Sequence, residues 1–477
     1  MLTIAVIGAG FSGSLTAVHL LRSHGSSCAR VILLESSGRF GPGAAYGTSS
    51  SVHYLNVPAG NMSAFDGEPT HFLKWAQARL GPDGHVATGS FLPRGLYGEY
   101  LTEIVQQART AAGERLVLHP SGARSVKRES PGGRLTIIAD DGATFTVDRV
   151  VIAAGNALPQ HPPLAIPTPL FDQSPPPPWY IRNPWRPEAL DPIRPDEPVL
   201  IVGAGLTMMD VVMQLHAEPR HHEGRIYAIS RHGLLPRPHR SPSRPPTHRD
   251  APGALKNWNG SAKSLLRIIR EAVRDHAAKG TDWRDVITSL RAITPALWNR
   301  LEGRERERFL SRLRSYWDIV RHRAAPETAA VVADLIAARQ LVVRAGRLIS
   351  ITPDGSGPLV TVAFRPRGSS NPQTVRVARI INCLGPDTDV RRADHPLIRQ
   401  MLADGLVSRD AFGLGLEAAD SGAAIGSDGR PSDRIFIVGP FRRAQAWENT
   451  AVPELRKQAA QVAAAAAEHA VNAHLAR

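Results

Sequence analysis

Val6–Leu15 reads VIGAGFSGSL, and the chain returns to nearly the same phrase at Ile201–Asp210, IVGAGLTMMD. In both, β-type residues run into Gly-x-Gly and apolar residues at helical spacing come next, the pattern of strand, tight turn and helix. Such a turn lets backbone N–H groups and a helix N-terminus come close to a pyrophosphate. One unit implies one bound dinucleotide, and two imply two. The expected fold class is α/β, with two Rossmann-like dinucleotide-binding domains.

The first copy is complete. IAVIGAGFSGSLTAVHLL carries Gly8, Gly10 and Gly13, then Leu15, Val18 and Leu21 on one helical face. The next strand, RVILLES, ends in Glu35, 27 residues after Gly8 (35 − 8). A carboxylate at that strand tip is placed to accept both ribose hydroxyls of an adenosine. The second copy keeps Gly203 and Gly205 but has Met208 where the third glycine would stand, which implies looser helix–strand packing with the pyrophosphate turn intact. Its following strand, GRIYAISRHG, ends in Ser230 and Arg231. A guanidinium beside a hydroxyl suits a 2′-phosphate, so NADPH is expected ahead of NADH. A solvated arginine at a strand end is the bland alternative, and it keeps NADH open.

Composition removes several other classes. The chain has 477 residues, 42% apolar and 21% charged, enough for two or three ordinary cores. It begins on an apolar strand, LTIAVIGAG, without the pattern of a secretory leader, and no uncharged apolar run reaches the roughly 18 residues of a membrane span. A cytoplasmic location without membrane attachment is expected. Only Cys28 and Cys383 occur, so neither a disulfide framework nor a Cys-x-x-Cys redox pair is available. The net charge of +14 is scattered arginine with no nucleic-acid motif, which favours an anionic small molecule over nucleic acid as partner. His216, His221, His222, His232, His239 and His248 match no common ligand spacing, and no metal is expected.

Between the two units, RLTIIAD and VDRVVIAAGNALP read as strands, and QSPPPPWYIRNPWRPEALDPIRPDEP reads as a stiff polyproline-like connector. Residues 237–250 suggest a surface loop, and helical patterns such as SLLRIIREAVRDHAAKG continue to about Arg339. The strands QLVVRAG, VTVAFRP and TVRVARIINCLGP close the second domain, and RIFIVGP leads into an alanine-rich helix attributed to intrinsic propensity. The expected division is residues 1–165, a connector at 166–198, a second domain at 199–386 with helical residues at about 251–339, and a return at 387–477.

Together these segments resemble flavoproteins with two dinucleotide-binding domains. In that group an FAD domain is interrupted by an NAD(P)H domain and completed at the C-terminus. VVIAAGN and IINCLGP resemble the two strand-to-glycine crossings, the first ending at Gly155, and IFIVGP resembles the last FAD strand, ending at Gly439. GPGAAYGTSSSVHYLNVPAGNMSAF, FLPRGLYGEYL and ENTAVPELRKQA are similar to a bacterial family that includes flavin-dependent urate hydroxylases and aspartate N-monooxygenases. Relatives usually follow the last glycine with an aspartate that meets the ribityl chain. Here Pro440 stands next, so backbone donors are expected to take that role. The fingerprint of Baeyer–Villiger monooxygenases is absent near AAGNALPQH.

The resemblance implies FAD and NAD(P)H as cofactors and O₂ as co-substrate, with a flavin C4a-hydroperoxide passing oxygen to an electron-rich molecule. The leading expectation is hydroxylation of urate to 5-hydroxyisourate. The alternatives are an amino-acid N-hydroxylase, an NAD(P)H reductase without oxygen insertion, and, last, a flavin sensor without catalysis. No protein nucleophile is required. Arg94, Arg442 and Arg443 are the candidates for gripping an anionic substrate. Asn61 and Met62 are candidates for lining the flavin, and Thr450 for opening the last helix as its N-cap or aiming N–H groups at the flavin carbonyl.

Overall fold

The structure, a computed structural model, describes residues 2–22, 29–130, 133–241, 250–355, 357–392, 394–448 and 450–474. Cys28, His248 and the middle of the expected 237–250 loop lie outside the described residues. The chain divides into two compact units, one of residues 1–48, 57–157 and 387–477, the other of residues 49–56 and 158–386. No described helix is long and apolar enough to cross a membrane.

The first unit is built on a sheet whose described strands run in the order Ala423–Ile425, Pro431–Ile437, Arg149–Ile152, Leu2–Ile7, Ala29–Leu34, Leu116–His119. All neighbours are parallel except the first pair. Parallel strands need crossovers, which cover both faces, so these strands read as continuous apolar runs such as IAVI. Side chains of one parity, Ala5, Ile7, Ile32, Leu34, Val150 and Ile152, pack with Val126, Leu135 and Ile137 of a three-stranded antiparallel sheet. Those of the other parity, Ile4, Val6, Val31, Leu33 and Val151, meet helices Phe11–Arg22 and Val452–His474. Each fully buried aliphatic side chain there contributes roughly 1.5–3 kcal/mol. The alanine run is more than a propensity effect, because Ala463, Ala466 and Ala467 are buried in this layer. Small side chains let that helix approach closely.

The second unit repeats the plan with strands in the order Gln373–Val377, Val360–Pro366, Leu341–Pro353, Ile226–Ser230, Val199–Val202, Arg379–Asn382, Tyr180–Ile181. The last five form a parallel set. Residues 166–198, expected as a stiff connector, are instead largely part of this unit. Tyr180–Ile181 is its edge strand, and Phe171, Trp179 and Tyr180 sit in its core. Prolines disfavour helix but do not prevent interspersed aromatics from being buried, and that apolar area decides the outcome. Helices from Ala262–Ala278 to Pro326–Ala337 occupy the stretch predicted to be helical. The start of the expected loop is also anchored: His239 N–H donates to the Ala324 carbonyl (2.9 Å), and Ala324 N–H to that of Arg237 (3.0 Å).

The two units share one local device. Gly8 N–H donates to Leu34 O (2.8 Å) and Ala153 N–H to Ile7 O (2.8 Å); Gly203 N–H donates to Ile229 O (2.9 Å) and Cys383 N–H to Val202 O (2.8 Å). Both glycines have positive φ, +99° and +113°. A Cβ on Gly8 would lie 2.4 Å from Ala153 O, and one on Gly203 would lie 2.4 Å from Cys383 O. Alanine at Gly203 combines that clash with a strained backbone, so Gly203→Ala is expected to destabilise the second unit by about 2 kcal/mol or more, seen as a lower urea midpoint.

Cys383 is 4% exposed, and burial pushes its thiol far above the ordinary range. A Cys28→Ser protein is therefore expected to show no thiol reactive toward an aromatic disulfide reagent while native, and one after unfolding. A rapidly reacting native thiol would contradict the placement of Cys383.

Candidate functional site

The first unit gathers its glycines and its acid at one sheet edge. The strands that end in Gly439, Gly155, Gly8 and Glu35 are consecutive neighbours and parallel, so their C-terminal ends lie side by side. This is the edge at which open α/β sheets bind ligands. Gly10 faces Gly43, and a Cβ on Gly43 would stand 2.7 Å from Gly10 Cα. Gly43 thus lets the Gly41–Gly47 segment lie against the turn, a role that reading the motif alone does not assign. Gly13 brings the helix onto the turn: a Cβ there would fall 1.9 Å from Gly8 O. The first N–H groups of helix Phe11–Arg22 have no intrahelical acceptor and are available to an anion.

Glu35 reaches back to this turn. Its Oε2 accepts from Ala9 N–H (2.8 Å), and its Oε1 accepts from Ser37 N–H (3.0 Å) and Ser37 Oγ–H (2.9 Å). A carboxylate offers about four acceptor positions. The expectation of two ribose hydroxyls on Glu35 is narrowed accordingly: one fits directly, and a second requires the Ser37 hydroxyl to turn away. Gly155 has φ +74° and open space around it, and Gly439 has φ +90° with Ser12 Oγ 3.0 Å from where its Cβ would be. These features fit the pyrophosphate and ribose of FAD.

The last strand corrects another expectation. Gly439 N–H donates to Gln458 Oε1, Pro440 has no N–H, and the N–H groups of Arg442 and Arg443 are engaged by Gly439 O and Pro440 O. Those backbone donors are taken within the protein, so they do not replace the missing aspartate. Arg442 is also corrected. It is 5% exposed; its Nη2 donates to Ala419 O (3.2 Å) and Asp420 O (2.9 Å), which makes it a clamp on that turn and no surface fork, while its Nε and Nη1 are buried without a partner among the described residues. Burial lowers its pKa to about 10, yet it stays charged at neutral pH. Arg443 is half-buried, and Arg94 is half-buried at the start of helix Arg94–Ala112. Met62 is buried and Asn61 exposed, at the turn Ala59–Asn61. Thr450 is not the N-cap: Ala451 O accepts from Glu454 and Leu455 N–H, which places the cap one residue later.

In the second unit Gly205 has open space before it, as a pyrophosphate turn needs. Met208 is fully buried and fills the position where Gly13 brings its helix against the turn. At the end of Ile226–Ser230, Ser230 Oγ accepts from Gly233 N–H (3.0 Å), leaving its own hydrogen free to donate. Arg231 is exposed next to it. The tertiary fold adds cations that come from a later strand and a later turn. Arg367 Nη1 lies 2.9 Å from His232 Nδ1. Partial desolvation, then the charges of Arg367, Arg231 and Arg347, hold the His232 pKa below its usual value. Three guanidiniums therefore converge where a 2′-phosphate is expected.

Residues 5–157 match the family described as FAD-NAD(P)-binding. Uncharacterized proteins of Mycobacterium bovis and Mycobacterium tuberculosis are 24% identical over 97% of this chain and 94% of theirs. Among solved structures, an ornithine hydroxylase from Pseudomonas aeruginosa aligns with TM-score 0.65 at 14% identity, over 98% of this chain and 99% of that one. An L-lysine 6-monooxygenase from Pseudomonas syringae gives TM-score 0.65 at 15% identity with the same coverage. A cadaverine monooxygenase from Erwinia amylovora, bound to FAD, gives 0.61 at 10% identity, over 97% and 94% of the two chains. Residues 5–157 are thus an FAD-NAD(P)-binding domain, and the chain as a whole has the fold of flavin-dependent monooxygenases and reductases with two dinucleotide-binding domains.

Proposed function

We propose that the protein is an FAD-dependent, NADPH-consuming monooxygenase that hydroxylates the nitrogen of a small amine or amino acid. The observation that carries the cofactor assignment is the doubled glycine crossing, with a carboxylate at one second-strand end and clustered guanidiniums at the other. An acid there suits a free ribose and repels a phosphate, whereas cations do the reverse. FAD is accordingly assigned to the first unit and NADPH to the second.

The choice of amine over urate rests on the solved structures of similar fold, which act on ornithine, lysine and cadaverine. It is also consistent with the loss of Arg442 as an exposed anion grip. FAD supplies electron transfer from the nicotinamide and activation of O₂ when bound. The protein's part is to seat the pyrophosphate on the turn N–H groups, hold the ribose through Glu35, and keep bulk water from the reacting atoms. The test is oxygen and NADPH consumption by the flavin-loaded protein over a panel of amino acids, diamines and urate, with the hydroxylated product identified. Stoichiometric hydroxylamine supports this reading. Urate consumption instead, or oxygen recovered wholly as peroxide with every compound, rejects it.

Gly10→Val is expected to yield folded but colourless protein, because its branched side chain would meet Gly43 and block approach of the pyrophosphate. Stoichiometric FAD in that variant would refute the first-unit assignment. Arg231→Ala and Arg367→Ala are each expected to weaken NADPH by roughly 1–3 kcal/mol, the range of a charge-assisted contact, with little effect on NADH. Equal effects on both nucleotides, measured by equilibrium binding, would remove these residues from the 2′-phosphate site.

A further inference from the structure

Arg323 lies in RHRAA, residues 321–325, between helices Arg314–Arg321 and Pro326–Ala337. The bridge between Pro238 and Ala324 fixes it beside His239 and Arg240. Two carboxylates stand nearby, and both are engaged elsewhere. Asp282 accepts from Arg284 N–H (2.8 Å), from Arg284 Nη1 (3.2 and 3.1 Å) and from Arg240 Nε (3.2 Å). Asp285, 2% exposed, accepts from Arg240 Nη2. Arg323 has no carboxylate within ion-pair distance among the described residues. Its Nη2 makes a long contact to Thr288 Oγ1 (3.3 Å), and its Nε is buried without a partner.

The surroundings make this unpaired cation unfavourable. Burial first, then the charges of Arg321, Arg284 and Arg240, lower its pKa to about 10, so it remains charged at neutral pH. His239 is half-buried; desolvation first, then the charges of Arg323, Arg284 and Arg321, lower its pKa to about 3, and it is neutral. A guanidinium held in a partly desolvated site without a counter-charge destabilises the fold unless an anion arrives. Its fork matches a planar oxyanion. Asp282 and Asp285 nearby disfavour a doubly charged phosphate and leave a monoanion as the better fit. His239 also bonds the carbonyl of Asn56 (3.0 Å), within the same unit.

We propose that Arg323 anchors a site in the second unit that binds the carboxylate of a free amino acid. Whether that amino acid is also the substrate rests on the N-hydroxylase reading; the site itself does not. The guanidinium supplies two parallel N–H donors; the Thr288 hydroxyl adds none, because its hydrogen is donated to the Arg284 carbonyl (2.7 Å).

The test uses the flavin-loaded full chain, with Arg323→Met and Arg323→Lys beside the wild type. Calorimetric binding is measured for L-lysine and L-ornithine and for their decarboxylated counterparts, cadaverine and putrescine, and thermal midpoints are recorded with and without each. The wild type is expected to prefer at least one amino acid over its diamine by roughly tenfold or more, as a charge-assisted pair implies. Arg323→Met should lose that preference while diamine binding stays the same. Its ligand-free midpoint should equal or exceed the wild type's, because an uncompensated charge has been removed. Arg323→Lys should keep part of the preference, having the charge without the fork. A lower ligand-free midpoint in Arg323→Met with unchanged amino-acid affinity would make Arg323 structural and overturn the site. So would wild-type preference for the diamine, or no binding of any of the four. If amino acids bind through Arg323 but none is hydroxylated, the site stands and the N-hydroxylase reading falls.

Discussion

The contact between the glycine that ends a first strand and the backbone of the strand beside it governs both glycine turns, and with them the two nucleotide sites proposed above. Gly8 meets the Ala153 carbonyl and Gly203 meets the Cys383 carbonyl at separations that leave no room for a β-carbon. Each contact depends on a positive φ that an L-residue adopts only with strain. Because the turn is pressed against its neighbour, the helix after it starts at the sheet edge with its free N–H groups facing outward. Strand order then brings the ends of the adjoining strands to the same edge. In the first unit those ends supply Gly155, Gly439 and Glu35.

One scaffold used twice can serve two purposes because the strand ends carry opposite charge. Glu35 is tied into its own turn by Ala9 and Ser37, which fix the direction of the carboxylate. The corresponding end in the second unit carries Ser230 and Arg231 and is joined by Arg347, from a strand far along the chain, and by Arg367, from the turn that follows the next strand. Electrostatics, and not fold, separates the two sites. The same logic applies at Arg323, where the partners of Asp282 and Asp285 are already chosen and one guanidinium is left over.

Packing decides where the units can tolerate irregularity. Both faces of the first sheet are covered, by the antiparallel sheet on one side and by two helices on the other, and the alanine-rich helix fits because its buried side chains are small. The proline-rich segment holds together in the second unit through Phe171, Trp179 and Tyr180, which are spaced among prolines that leave the backbone extended enough to pair as an edge strand.

The sequence by itself determined the fold class and the location of both glycine turns, because strand, glycine turn and helix are local patterns whose geometry depends on a few neighbouring residues. It also placed Glu35, Ser230 and Arg231, since each stands at the end of the strand that comes after its turn. The features it did not reveal depend on distant residues meeting. Gly43 against Gly10, the loss of the Gly439 donor to Gln458, the burial of Arg442 under the Ala419–Asp420 turn and the gathering of Arg347 and Arg367 around His232 all join segments separated in the chain. An arginine in a sequence has no burial and no partner. Only the tertiary structure decided that Arg442 gives hydrogen bonds from one nitrogen to two carbonyls and that Arg323 has no carboxylate at ion-pair distance among the described residues, because pairing depends on distance in space and on which carboxylates are already engaged.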